Sequence, residues 1–147
     1  MKFSSKYQIK APRAKVYDSL TDPAVLQGCI EGCERFVRTG EDDYDVHLRL
    51  GLAGIKGTYV GKVQLKDKKL PESFTLVMEG KGAPGFVRST AQIRLVENHQ
   101  ETDLLCDADA QIGGPIAAIG SRLIEAAAKK MSDDFFKKFA QTIEGRS

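Results

Sequence analysis

Between residues 43 and 113 the sequence alternates apolar and polar side chains in one segment after another, and the stretches between these segments are too short to hold a helix. A period of two places successive side chains on opposite faces of an extended chain, so each segment reads as a strand with one face toward a core. Short connections also force neighbouring strands to run antiparallel, because a parallel pair needs a crossover of about a dozen residues or more. The first segment turns Tyr44, Val46, Leu48 and Leu50 one way and Asp43, Asp45, His47 and Arg49 the other. Beyond the glycine-punctuated turn Gly51 to Gly57, the inward set continues as Tyr59, Gly61, Val63 and Leu65. A turn at Lys68 to Glu72 leads to Phe74, Leu76, Met78 and Gly80, and a second glycine-rich turn runs from Gly80 to Gly85. Val87, Ser89, Ala91, Ile93 and Leu95 follow, then Asn98 to Glu101 as a polar connection, then Leu104, Cys106, Ala108, Ala110 and Ile112. Phe3 to Ala11 reads as a further strand at the start of the chain.

Helical periodicity occurs only on either side of this meander. Pro12 suits a first helical turn, with Val16, Tyr17 and Leu20 on its apolar face, and Thr21-Asp22-Pro23 restarts a second short helix carrying Val25, Leu26 and Cys29. After Gly113-Gly114-Pro115, the residues Ile116, Ile119, Leu123, Ala127, Met131, Phe135, Phe139 and Ile143 recur at steps of three and four. This predicts one helix of about 29 residues, about 43 Å long. Its apolar stripe needs a partner of similar length, and the concave face of the sheet is the one available. The expected fold is α+β: a curved antiparallel sheet gripping a long C-terminal helix, with two short helices after the first strand. No repeat, linker or low-complexity stretch divides the chain, so 1–147 is expected to be a single domain.

Charge and chemistry narrow the function. Lys and Arg total 22 against 20 Asp and Glu, too even a balance for a nucleic-acid footprint. The lysine clusters at 66–69, 129–130 and 137–138 are candidates for peripheral contact with an acidic membrane surface or partner. Three cysteines form no disulfide framework, the first ten residues carry no apolar leader region, and the run 115–128 is too short and too charged to cross a bilayer. The expected location is the cytoplasm, with peripheral attachment at the inner face of the membrane as its extension.

Gly80-x-Gly82-x-x-Gly85 matches the dinucleotide fingerprint literally, but a phosphate-binding loop must open a helix, and the residues that follow alternate with period two. A tight hairpin is expected instead. Cys29, Cys33, Cys106, His47 and His99 are not at zinc-ligand spacing, and no nucleophile elbow or catalytic triad pattern is present, so neither a metal, a cofactor nor a catalytic residue is expected. Several inward positions are small: Gly61, Gly80, Ser89, Ala91, Cys106, Ala108 and Ala110. Side chains of that size either let the helix approach closely or leave room for a ligand. The wall of such a cavity is expected to comprise Leu26, Ile30, Tyr44, Val46, Leu48, Tyr59, Val63, Phe74, Leu76, Met78, Ile93, Ile119, Leu123 and Met131.

Ala11-Pro12, Asp22-Pro23, residues 28–33 (GCIEGC), 55–61 (IKGTYVG) and 80–87 (GKGAPGFV), together with Gly113-Gly114, Gly120, Arg122-Leu123-Ile124 and Phe135-Phe136, resemble the carbon monoxide dehydrogenase G-subunit family over essentially the full chain. The resemblance implies a helix-grip fold with a seven-stranded sheet, as in START-type and polyketide-cyclase-like proteins, and a lipophilic cavity between sheet and helix. It further implies a non-enzymatic carrier of a lipophilic small molecule, a quinone or lipid, that serves a molybdenum hydroxylase partner. Two alternatives accompany it: an assembly or membrane-recruitment factor without a ligand, and a cyclase-like enzyme acting on a hydrophobic substrate.

Overall fold

A computed structural model describes residues 1–52 and 54–145. Ala53, in the turn expected between residues 51 and 57, and the last two positions of the expected 1–147 domain lie outside the described residues. Seven strands form one sheet: β1 (Lys2–Ile9), β2 (Cys33–Arg38), β3 (Asp43–Leu50), β4 (Gly57–Lys69), β5 (Ser73–Gly82), β6 (Gly85–Asn98) and β7 (Glu101–Gly113). Their order is β1-β7-β6-β5-β4-β3-β2, with every pair antiparallel. The meander therefore pairs as the alternation requires, and β1 closes on the far edge beside β7. Strand β2 is the one the alternation did not single out. Only Phe36 of its six residues is buried, and its register with β3 shifts between Cys33 and Arg35.

The turns are tighter than expected. Strands β5 and β6 continue to the pair Gly82–Gly85, so only Ala83 and Pro84 connect them. His99 and Gln100 alone join β6 to β7, both with positive φ, the backbone that matches the twist of a two-residue hairpin. Gly61 pairs with Gly80 of β5, and a methyl group there would collide with the Glu79 carbonyl.

Helices α1 (Arg13–Leu20) and α2 (Pro23–Cys29) follow β1. Pro12 precedes the first helix rather than opening it, and the Asp22 carboxylate caps the second by accepting a hydrogen bond of 3.0 Å from the Ala24 amide. The single 29-residue helix expected at the C-terminus is divided. Pro115–Ile119 form a 3-10 turn, Gly120 adopts φ of 95°, and α3 runs from Ser121 to Ile143. An α-helix cannot continue through that backbone conformation, which leaves α3 with 23 residues, about 34 Å. The apolar period continues across Gly120 because the 3-10 turn also keeps Ile116 buried.

Helix α3 lies along the concave side of the sheet, but its close backbone neighbours are α2, α1, β1 and the 3-10 turn rather than the central strands. Helix α1, by contrast, comes down onto β6 and β7. The core is continuous where α1, α2 and the last turns of α3 meet the sheet: Ile9, Val16, Tyr17, Leu95, Leu104, Phe139 and Ile143 are all buried there.

Candidate functional site

The meander places alternate turns at opposite ends of the molecule. One end, the closed end, carries α1 and the turns near residues 40, 71 and 99. The other, the glycine end, carries the turns near residues 54 and 84 together with the 3-10 turn. Burial of the inward side chains changes from one end to the other. On β5, Phe74 is buried, Leu76 half-buried and Met78 exposed at 37 %. On β3, Tyr44 and Val46 are buried while Leu48 and Leu50 are half-buried. Strand β6 goes from buried Leu95 to half-buried Val87, and β1 from buried Ile9 to half-buried Phe3.

On helix α3, Phe139, Ala140 and Ile143 are buried and Ala127, Met131 and Phe135 half-buried; in its first turn Ile124 is buried and Leu123 is 58 % exposed. A side chain added at Gly80 would meet no atom within 4 Å. The inward face is therefore packed at the closed end and more accessible toward the glycine end on β1, β3 and β5, while Tyr59, Ser89 and Ala110 of β4, β6 and β7 stay buried there.

Of the residues expected to form that wall, Tyr44, Val46, Tyr59, Val63, Phe74 and Ile93 are buried in the core. Two of them already have aromatic partners: Phe74 meets Tyr17 edge-on at 5.5 Å, and Tyr44 tilts against Phe36 at 5.4 Å. Leu26, Ile30, Leu48 and Leu76 are half-buried against the core. Ile119 and Met131 are half-buried, and Met78 and Leu123 stand in the accessible part. Val87 and Ile112 were absent from the expected wall, yet both are inward, half-buried and near the glycine end. Their signal was strand parity combined with closeness to the glycine turns.

The wall offers little polar chemistry. Inward positions in the spans 44–50, 59–65, 74–80, 87–95 and 104–112 hold no charged side chain. The Tyr59 hydroxyl donates to the Ile55 carbonyl at 2.6 Å, and burial pushes its pKa up. The Tyr44 hydroxyl accepts from the Arg38 guanidinium at 3.3 Å. Both tyrosine tips are thus engaged by the protein. Cys106 sits half-buried on the inward face of β7, its thiol pKa raised by burial and then by the Asp107 charge. Tyr7 stacks on Phe136 at 4.2 Å and donates to Asp133 at 2.8 Å, joining β1 to α3.

The remaining singled-out residues are dispersed. Cys29 is buried beside the Thr142 hydroxyl at 3.8 Å, Cys33 lies on β2, His47 faces outward and His99 is in a hairpin turn. Among the described residues no three His, Cys, Asp or Glu side chains converge on a metal-sized site. The glycine motif at 80–85 joins two strands and opens no helix, so it lacks the amide cradle a pyrophosphate needs. Two depressions of about 350 Å³ each are lined, one by Ser4, Ser5, Lys6, Arg94, Leu105 and Asp107, the other by Asp67, Lys69, Ser73, Phe74, Thr75 and Gln92, and of the expected wall residues only Phe74 takes part. Both are lined chiefly by polar side chains and lie away from the accessible concave wall. No helix among the described residues is long and apolar enough to span a membrane.

An open antiparallel sheet of seven strands, with two short helices inserted after the first and a long helix across its concave side, defines the helix-grip, START-like class. The chain belongs to the carbon monoxide dehydrogenase G-subunit (CoxG) family, whose sequence profile matches residues 6–144. Among solved structures it is similar to a conserved protein from Geobacillus kaustophilus at 35 % identity, with a TM-score of 0.96 over 99 % of this chain and 96 % of that one. More distant likenesses share the fold. A START superfamily protein from Mycobacterium smegmatis is 10 % identical with a TM-score of 0.76, covering 98 % of this chain and 97 % of that one. The ZhuI aromatase/cyclase from Streptomyces sp. R1128 is 14 % identical with a TM-score of 0.73, covering 98 % and 93 %. Among proteins of curated function, none matches the sequence. Family and fold together point to a hydrophobic-ligand-binding fold.

Proposed function

We propose that this protein is a non-enzymatic carrier that holds a lipophilic small molecule, a quinone or a lipid, between the sheet and α3. The observation that carries the reading is the looser packing of the inward face of β5, where Met78 is 37 % exposed and a Cβ added at Gly80 would meet no atom within 4 Å. Burying apolar surface supplies about 0.8 kcal/mol per methylene, so a chain of about ten carbons gains about 8 kcal/mol before the entropic cost of association. That gain suits reversible carriage. The absence of a charged side chain from the inward spans, with Tyr44 and Tyr59 already hydrogen bonded, favours binding over acid–base chemistry. The family's name supports the partner class proposed with it, a molybdenum-containing carbon monoxide dehydrogenase or related hydroxylase in the cytoplasm, with this protein as its accessory.

Purified protein analysed by native mass spectrometry, with organic extraction of whatever it carries, tests the reading. Recovery of a stoichiometric apolar molecule, or uptake of an added short-chain quinone that releases it, is the expected result. Protein that carries nothing and takes up neither quinone nor fatty acid would overturn it.

A further inference from the structure

The inward face of the sheet carries few hydroxyl groups, and their partners set one of them apart. Tyr7 donates to Asp133, Tyr59 to the Ile55 carbonyl and Thr102 to the Ala11 carbonyl at 2.8 Å, while the Tyr44 oxygen accepts from Arg38. Ser5, half-buried on β1, is hydrogen bonded to the thiol of Cys106, the residue opposite it on β7. Ser89 is only 8 % exposed, yet its side chain makes no hydrogen bond to a described residue. A buried hydroxyl is normally paired, because giving up water without gaining a partner costs free energy. Tyr17 also has an unpaired hydroxyl, but that oxygen is sealed in the closed end, in a side chain packed on Phe74, whereas Ser89 Oγ is not sealed.

The surroundings of Ser89 are apolar. Met78 of β5 and Ala110 of β7 lie directly opposite it, and Val87 and Ala91 precede and follow it on the same face of β6. Gly80 is its diagonal neighbour on β5, where an added Cβ would meet no atom within 4 Å, and Met78 is 37 % exposed. The free hydroxyl therefore borders the loosest part of the inward face. A single polar group within an apolar lining is the means by which a small-molecule site fixes the orientation of what it holds.

We infer that Ser89 is the hydrogen-bond donor that orients the bound molecule, and that this molecule is a neutral lipophile bearing a carbonyl oxygen. The inference rests on the carrier reading given above and narrows it. A carbonyl supplies the acceptor that the hydroxyl lacks. A carboxylate would be held without a counter-charge, since Met78, Val87, Ala91 and Ala110 offer none, and desolvating an unpaired anion is far more costly than desolvating a carbonyl. A plain hydrocarbon would fill the space but leave Ser89 unpaired, and a site built around a hydrogen bond discriminates against the analogue that lacks it.

The test is calorimetric titration of the full chain at neutral pH with three probes: a butyl-trimethyl-para-benzoquinone, whose ring has no position open to thiol addition, the benzene carrying the same alkyl groups, and octanoate. The wild-type chain is expected to bind the quinone about tenfold more tightly than the hydrocarbon, the worth of one net hydrogen bond, and more tightly than octanoate. Ser89→Ala should bind the quinone about tenfold more weakly and the hydrocarbon unchanged, whereas Ser89→Thr, which keeps the hydroxyl, should retain the preference. Infrared spectroscopy gives a readout that a purely structural role would not move: the carbonyl band of the quinone, lowered on binding to the wild-type chain, should return toward its unbonded frequency in Ser89→Ala. Urea unfolding confirms that both variants fold. Unchanged quinone affinity in Ser89→Ala, an equal loss of quinone and hydrocarbon, or octanoate bound more tightly than the quinone overturns the inference and leaves the carrier reading standing. A wild-type chain that binds none of the three overturns both.

Discussion

At the closed end, Phe139, Ile143, Tyr17 and Val16 interlock with Ile9, Leu95 and Leu104, and the helices α1 and α2 fill the angle between α3 and the sheet. At the glycine end Met78 and Leu123 are exposed and Ala127 is half-buried, and the short 3-10 turn with its buried Ile116 takes the place against β6 and β7 that α1 has at the other end. The comparison shows how one fold divides its labour. The large side chains that make the fold stable are gathered at one end, which frees the other from having to be full. A sheet packed equally along its length would hold only itself.

The largest effect should come from truncating the packed end. Phe139→Ala is expected to cost about 3–5 kcal/mol in urea unfolding, the usual range for a fully buried phenylalanine, whereas Leu123→Ala should cost well under 1 kcal/mol. Equal losses would break the distinction between the ends. Next come the glycines. Gly61→Ala puts a methyl into the Glu79 carbonyl and should destabilise by about 2 kcal/mol or more, while Gly80→Leu enters open space and should leave the melting temperature nearly unchanged. That second variant should still abolish uptake of an apolar probe; retained uptake would move the ligand elsewhere.

The two buried tyrosines give a smaller pair of effects. The Tyr17 hydroxyl, in a side chain only 1 % exposed, has no hydrogen-bond partner among the described residues, whereas that of Tyr59 has one. Tyr17→Phe is expected to raise stability by about 1 kcal/mol and Tyr59→Phe to lower it by a similar amount, since a buried unpaired hydroxyl is a cost. A loss in both would reveal an unseen partner at Tyr17. The smallest effect is a rate: an apolar maleimide should label Cys106 several-fold more slowly once the protein has been loaded with a short-chain quinone. Labelling of Cys33 on β2 should not change. Equal rates at Cys106 would place the ligand away from β7.

Much of this was legible in the residues. The inward set on β3 to β7 followed from alternation, and the antiparallel order followed from turns too short for anything else. Strand β2 was not legible, because an edge strand with one buried residue has no period to read. The break at Gly120 was hidden for a related reason: the 3-10 turn buries Ile116 and so prolongs the apolar rhythm past the point where the helix begins. For the site, the small residues marked where space was available. The large ones did not reveal whether they lined that space or filled it, and Tyr44 and Phe74 proved to have aromatic partners.

Alternation, turn length and the 3.6-residue stripe are properties of neighbouring residues, and with them the sequence alone determined β1 and β3 to β7, the antiparallel order of the meander and the concave-face partner of α3. Which part of that face is full depends on how α1, α2 and α3 meet over it. Which cations are paired depends on who stands opposite them, as Lys68 beside Asp42 and Lys56, with no ion pair to a described residue, demonstrate. Packing and ion pairing join residues far apart in the chain, so they exist only once the tertiary structure has brought them together.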